Sequence, residues 1–262
     1  MQITDQIFNI LEIQSPPKKI ISLVPSQTEL LFDLGLENSI IGITKFCIHP
    51  EHFKKTKQII GGTKNLNLEK IRQLKPDLII ANKEENEFDQ ITELKNEFPV
   101  FVSDVKTVDS AYEMMRLIGK ITNSDLKAEE LINTIISKRS ELPSSPFRSC
   151  IYLIWKDPYL TVGGDTFINS MLREAGFENC FADVVRYPEV SVDEIIEKEP
   201  EFVFLSSEPY PFKKEHETEL QKKLPRSRVI CVNGELFSWY GSRMQLAFAY
   251  FNALQQRISG EK

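Results

Sequence analysis

The sequence has few of the residues from which common catalytic and metal centres are built. Histidine occurs three times in 262 residues, at His49, His52 and His216, so a His-based metal centre or general base has little to draw on. The four cysteines, Cys47, Cys150, Cys180 and Cys231, are widely separated. No CxxC occurs, which leaves a structural zinc site or redox dithiol without support. Cys150 and Cys231 fall in apolar strand-like runs and read as buried free thiols. Positive charge is not in excess: the formal net charge is −6, which argues against a general nucleic-acid binder. No apolar run approaches the ~18 residues of a membrane span. Met1 to Gln6 offers neither a basic n-region nor a long apolar h-region, so no secretory signal is predicted. There is no GxSxG, and Gly61-Gly62-Thr63-Lys64 lacks the phosphate-loop spacing.

What the chain does have is ordinary soluble-protein composition, 27% charged and 41% hydrophobic, in a length that suits one large or two small domains. It also has a duplication. Gly35-Leu36-Glu37-Asn38 follows one apolar helical run, and Gly176-Phe177-Glu178-Asn179 follows another. Leu68-Glu69-Lys70-Ile71 and Leu74 to Ile80 align with Val192-Asp193-Glu194-Ile195 and Lys198 to Phe204 at a constant offset (192 − 68 = 124; 204 − 80 = 124). Two similar α/β halves usually face each other across a cleft.

The elements agree with that plan. Ile20 to Val24, Ile40 to Thr44, Leu78 to Ala81 and Val100 to Val102 read as strands in the first half. Ser26, three residues before Glu29, reads as a capping box opening a helix that stops at Gly35. In the second half the strands are Ile151 to Ile154, Phe202 to Leu205, Val229 to Val232 and a short one at Val184-Val185. Near-continuous apolar strands alternating with helices predict parallel sheets covered on both faces. A closing helix from Arg243 to Ile258 carries Leu246, Ala249, Tyr250, Ala253, Leu254 and Ile258 on one face. Between the halves, Ala128, Leu131, Ile132, Ile135, Ile136 and Leu142 form a helical stripe that Ser124 can cap and Pro143 to Pro146 ends. A helix of that size, ~27 Å long, can link the lobes. The expected layout is α/β: an N-terminal lobe at 1–123, a connecting helix at 124–146 and a C-terminal lobe at 147–262.

In open parallel sheets, ligands bind beyond the carboxyl ends of the strands. Both tryptophans and several tyrosines fall in those loops. Phe46, Trp155, Tyr187, Tyr210, Trp239 and Tyr240 can stack on a flat or apolar ligand. Lys45, Lys64, Lys83, Arg186 and Arg243 can meet its anionic groups, with His49 and Glu208 as further polar contacts. Packing within the protein is the alternative use for some of these aromatics. Cys47, His49 and Glu208 could serve as the working groups of an enzyme, or ligate a divalent metal, if their loops converge. Mixed softness makes that metal site the weaker option, and His52 and His216 read as surface residues.

Pro17-Lys18-Lys19-Ile20-Ile21-Ser22-Leu23-Val24-Pro25-Ser26-Gln27-Thr28-Glu29-Leu30, together with Asn67 to Ile71 and Leu74 to Ile79, resembles the class III substrate-binding proteins of ABC importers. These are the iron-siderophore, haem and vitamin B12 binders, also called helical-backbone metal receptors. The resemblance implies two Rossmann-like lobes with parallel sheets joined by a single long helix. It also implies a metal chelate or corrinoid such as cobalamin captured in an interlobe cleft. It further implies an ABC permease as partner, docked through Glu69 on the first lobe and Asp193 on the second, with Glu194 able to substitute. Where vitamin B12 binders of the family carry an aromatic before the first docking helix, this chain has Thr63-Lys64-Asn65-Leu66. The function expected is that of a monomeric, non-enzymatic receptor with no cofactor of its own and no nucleic-acid partner. The resemblance implies the periplasm, the absent signal the cytosol. A cytosolic enzyme or metal-binding protein built on Cys47, His49 and Glu208 is the alternative.

Overall fold

A computed structural model describes residues 1–14, 16–144 and 146–260. Ser145, inside the proline stop expected after the connecting helix, lies outside the described residues, as do Ser15, Glu261 and Lys262. The chain divides into two compact α/β units. One comprises Met1–Val105, Asp109–Ile135 and Tyr240–Arg243; the other comprises Lys106–Val108, Ile136–Trp239 and Met244–Lys262.

In the first unit, β1 (Gln2–Thr4) and β2 (Ile10–Glu12) form an antiparallel hairpin. Then come β3 (Ile20–Ser22), α1 (Pro25–Asp33), β4 (Ile40–Ile43), α2 (Phe53–Thr56) and β5 (Gln58–Ile59). They are followed by α3 (Leu68–Leu74), β6 (Leu78–Asn82), α4 (Phe88–Lys95), β7 (Val100–Ser103), α5 (Val108–Thr122) and α6 (Asp125–Ser140). The sheet is parallel in the order β5-β4-β3-β6-β7. Every residue of β3, β6 and β7 is buried, as strands covered on both faces must be. The division between the units falls within α6, which carries the chain from the first to the second.

The second unit runs β8 (Arg148–Leu153), α7 (Phe167–Glu174), β9 (Phe177–Asn179), α8 (Val192–Glu197), β10 (Phe202–Ser206) and α9 (Lys214–Lys223). It closes with β11 (Arg228–Val232), α10 (Glu235–Ser238) and α11 (Met244–Gly260). Its parallel sheet has the order β11-β10-β8-β9. One face packs Ile151, Leu153, Val203 and Leu205 against Ile195, Leu220 and Leu224. Each such side chain contributes about 1.5–3 kcal/mol over its exposed state.

The duplicated sequence is also duplicated conformation. Gly35 (φ +82) ends α1 and Gly176 (φ +84) follows α7, both in the left-handed position that glycine adopts without a Cβ penalty. Lys127 Nζ lies against Gly35, and Gln255 donates to Ala175 O beside Gly176. Lys75 (φ +49) and Glu199 (φ +44), again 124 residues apart, each turn left-handed before a proline. Asp77 then accepts Lys18 N and Lys19 N at 2.9 Å, fixing the approach to β3. Its counterpart Glu201 meets Ser149 of β8 through Ser149 N (3.4 Å) and Ser149 Oγ (2.9 Å).

Three local expectations are corrected. The α1 cap is not Ser26 with Glu29. Pro25 occupies the first helical turn and Val24 is the N-cap, with no side-chain cap bond; proline's fixed φ and missing N–H suit that position. Val184-Val185 forms no strand. Gly164 N donates to Val184 O (2.8 Å) and Gly163 N to Arg186 O (2.7 Å), so the segment is a loop laid on the two glycines. In α11 the buried stripe is Met244, Ala247, Phe248, Phe251, Leu254 and Ile258, while Leu246, Ala249 and Ala253 are exposed. The helix is apolar on more than one face, and the bulky phenylalanines take the core.

Candidate functional site

In the first lobe the loops beyond β4, β5 and β6 are braced together. Lys45 N donates to Gly61 O (2.9 Å) and Gly62 N to Asn65 O (2.9 Å). Asn86 links two loops: its Oδ1 accepts Asn82 N (2.9 Å) and its Nδ2 donates to Thr63 O (3.0 Å). Asn82 Oδ1 accepts Glu84 N and Glu85 N at 2.8 and 3.1 Å. On this frame Phe46 stays 50% exposed, with Lys45 Nζ 5.0 Å from its ring centre. Gly62 gives them room, since a Cβ there would lie 3.2 Å from Phe46 Cε2. Lys64 donates to Glu84 O (2.6 Å) and faces Glu87, and Lys83 pairs with Asp104 (2.8 Å). Phe88, at the start of α4, is exposed and was missed from the sequence because a lone aromatic at a helix start carries no pattern.

His49 is half-buried. Cys47 is fully buried, with its thiol 3.1 Å from Thr28 Oγ1 and 3.3 Å from Thr44 Oγ1. Burial pushes the thiol's pKa up against those hydroxyl contacts, so it is a packed and unreactive group. Among the described residues no three of His, Cys, Asp and Glu converge as a metal site. The convergence of Cys47, His49 and Glu208 on one metal is therefore not found.

Tyr240 and Arg243 belong to the first unit, reached by a short return of the chain. Arg243 meets Glu29 of α1 in a two-pronged pair, Nε to Oε2 at 2.7 Å and Nη2 to Oε1 at 2.6 Å. Asp33, one turn on, has its pKa raised by burial, against the opposing pull of Ser242 and Arg243. Tyr240 is buried beside Ser26 and Ser103, and desolvation holds its phenol well above the ordinary range.

In the second lobe the turn after β8 is closed by Ile154 N to Leu160 O (2.9 Å) and Leu160 N to Trp155 O (3.3 Å). Trp155, 41% exposed, stands edge-on to Tyr210 at 5.7 Å, and Tyr210 packs on Phe212 at 4.7 Å. Tyr210 Oη lies 3.3 Å from His216 Nε2. His216 Nδ1 accepts Lys213 N (2.9 Å), so the neutral ring carries its proton on Nε2 and donates to the tyrosine. Glu208 Oε1 accepts Ser238 Oγ (2.6 Å) and Trp239 Nε1 (2.9 Å), which ties the buried indole in place. Arg186 is exposed, 5.5 Å over the Tyr187 ring, on a loop fixed by its own N–H to Asp165 (2.6 Å). Trp155 and Tyr210 thus come together, Glu208 and Trp239 form a second group, and Arg186 and Tyr187 a third.

The acids of the two repeated helices occupy matching places. Glu69 and Asp193 are both exposed at the second position of their helices, after the N-caps Asn67 and Ser191. Glu194 is engaged otherwise: its Oε2 accepts Ser191 N (2.7 Å) and Ser191 Oγ (2.8 Å), which hold its carboxyl below the usual range.

Two α/β lobes with loops of this kind define a class, and the sequence profile of one family matches residues 20–229. The chain belongs to the periplasmic binding protein family. It is 30% identical over 203 residues to the uncharacterized ABC transporter substrate-binding lipoprotein YvrC of Bacillus subtilis, covering 73% of this chain and 64% of that one, so it spans less than two thirds of that relative. It is 27% identical over 244 residues to the vitamin B12-binding protein of Pectobacterium atrosepticum, covering 88% and 86% of the two chains. The crystal structure of the periplasmic vitamin B12 binding protein BtuF of Vibrio cholerae has the same fold, with a TM-score of 0.81 at 22% identity over 94% of this chain and 99% of that one. No helix among the described residues is long and apolar enough to cross a membrane.

Proposed function

We propose that this protein is the receptor of an ABC-type importer, and that its ligand is a metal chelate (a ferric siderophore or haem) or a corrinoid such as cobalamin. The observation that carries the reading is that each lobe presents an exposed aromatic side chain and a cation beyond the carboxyl ends of its strands. In the first lobe these are Phe46 and Lys45; in the second, Trp155 with Tyr210, and Arg186 with Tyr187. A flat, partly apolar ligand with anionic edges suits both sets, and residues 1–123 and 147–262 both contribute, with 124–146 as connector. His49, Lys64 and Lys83 stand at the edge of the first set. The buried thiol of Cys47 weighs against the enzyme reading. The purified protein is titrated with hemin, ferrichrome and cyanocobalamin, read by absorbance and thermal shift. One of them is expected to bind at micromolar concentration or tighter and to raise Tm, and Trp155→Ala is expected to weaken it by about tenfold or more. No response to any of the three refutes the ligand class.

The permease contact is proposed to run through Glu69 and Asp193, with Glu194 reserved for its helix cap. Glu69→Lys or Asp193→Lys is expected to abolish stimulation of the reconstituted importer's ATPase while ligand affinity is kept. Glu194→Gln is expected to lower stability and leave stimulation intact. Equal loss from Glu194→Gln and Asp193→Lys, at equal folded fraction, overturns the assignment.

A further inference from the structure

The last strand on each side of an open sheet presents backbone N–H groups that no neighbouring strand receives, and such edges invite pairing with another chain. Of the four edges of the two parallel sheets, two are short: β5 has two residues and β9 three. The other two, β7 and β11, are longer, and both have outward amides taken by side chains. Arg228 N turns inward to Glu201 O (2.8 Å), which leaves Val229 and Cys231 facing outward. Val229 N donates to Gln221 Oε1 at 3.0 Å and Cys231 N to Glu217 Oε2 at 3.1 Å. Along β7, Pro99 O and Ser103 O accept Ile79 N of β6 and Lys83 N just after it, so Val102 and Asp104 face outward. Val102 N donates to Asp5 Oδ2 and Asp104 N to Gln6 Oε1, both at 3.1 Å.

The two lobes reach this result from different elements. On β11 the outward amides recur every second residue, about 6.6 Å apart. Helix residues four apart climb about 6 Å, so Glu217 and Gln221 of α9 match two successive rungs. On β7 the acceptors come from the turn between β1 and β2. Each lobe uses one carboxylate and one amide, and all four are held from behind. Asp5 also accepts Ile7 N (3.0 Å) and Asn9 N (2.7 Å), and Gln6 Nε2 donates to Ser110 O (2.9 Å). Gln221 Nε2 donates to Leu224 O (2.9 Å) and Ser227 O (2.8 Å), and Glu217 pairs with Lys214. Side chains anchored in this way do not leave the strand without losing several bonds at once.

We propose that Asp5 with Gln6, and Glu217 with Gln221, are edge guards that prevent β7 and β11 from accepting a strand of a second copy of this chain. The inference is independent of the ligand and goes beyond the transport reading. It is tested on the full chain with Glu217→Ala/Gln221→Ala. The expected result is a native circular-dichroism spectrum, exchange of the Val229 and Cys231 amides faster by about tenfold or more, and dimers or larger species by light scattering. Glu217→Gln/Gln221→Glu keeps an acceptor at each rung and is expected to stay monomeric with unchanged exchange. A monomeric double-alanine variant with unchanged exchange overturns the proposal, and so does self-association of the acceptor-retaining variant. If the double-alanine variant does not fold, Gln221→Ala alone decides: faster exchange at Val229 but not Cys231 supports the guard, and no change at Val229 overturns it.

Discussion

Replacing Glu29 by alanine removes the carboxylate bound in two contacts by Arg243. The side chains are 15% and 9% exposed, and the pair is bound through two N–H···O contacts at 2.7 and 2.6 Å. Asp33 is the charge that remains near the guanidinium, so the loss is set by a buried pair broken on one side and only partly compensated, about 3–4 kcal/mol. With a urea m-value near ~2 kcal/mol/M, the midpoint is expected to fall by about 2 M. Far-UV circular dichroism follows the loss. Fluorescence adds a regional readout, because the only two tryptophans, Trp155 and Trp239, both belong to the second unit. Arg72→Ala is the control. Arg72 also binds two carboxylates, Glu93 and Glu97, but at the surface, where screening leaves little net gain. The double replacement Glu29→Leu/Arg243→Met is expected to recover most of the loss, since a packed apolar pair replaces a buried ionic one at little cost. If Glu29→Ala shifts the midpoint no more than Arg72→Ala does, the account of this pair is wrong.

Asp33→Asn is expected to raise the urea midpoint at neutral pH, because burial raises the pKa of the native carboxyl above that of the unfolded chain. The charged form is therefore disfavoured in the folded state, and the gain should fade as pH falls through the folded pKa toward the unfolded value of 3.8. A gain that persists at pH 2.5 contradicts this cause. The Cys231 thiol, pushed up to about 11 by burial and by Glu217, is expected to label slowly at pH 8 and to gain about tenfold in rate per pH unit until near that value. Rapid labelling at pH 7 by a disulfide reagent, mapped by mass spectrometry, is the contrary result. Gly164→Ala is expected to destabilise by about 2 kcal/mol or more, because an added Cβ would overlap the Ala182 carbonyl. Gly62→Ala meets only the Phe46 and Lys45 side chains and should cost less; equal melting temperatures for the two variants contradict the difference.

The parallel sheets were legible because buried strands such as β6 open on unbroken apolar runs, here Leu78 to Ala81. The lobes were legible because the same helix-to-strand segment recurs at one offset of 124 (192 − 68 = 204 − 80 = 124). What could not be read is choice among equivalents. Glu29 at three residues from Ser26 satisfies a capping pattern, yet its partner lies 214 positions away in sequence. The α11 stripe could be drawn on two faces, and packing volume selected the one with Phe248 and Phe251. Of the aromatics placed in loops, Phe46 and Trp155 remain exposed while Trp239 and Tyr240 are buried. Loop position says where a side chain starts but not what covers it. Asp5, Gln6, Glu217 and Gln221 carry no periodic signal, because their partners are backbone amides of another element, which side-chain spacing does not record.

The return of Tyr240–Arg243 to the first unit has a consequence for synthesis. The part of that unit made before the return ends at Ile135, and its last stretch is complete 108 residues later (243 − 135 = 108). At about 5–20 residues per second this interval is roughly 5–20 s. During it the nascent first lobe holds Glu29 and Asp33 without Arg243, and Ser26 and Ser103 without Tyr240. An N-terminal fragment ending at Ile135 would be left permanently in that state. The first unit is completed only once residues 240–243 have been made, so expressing it alone requires those residues to be supplied with it.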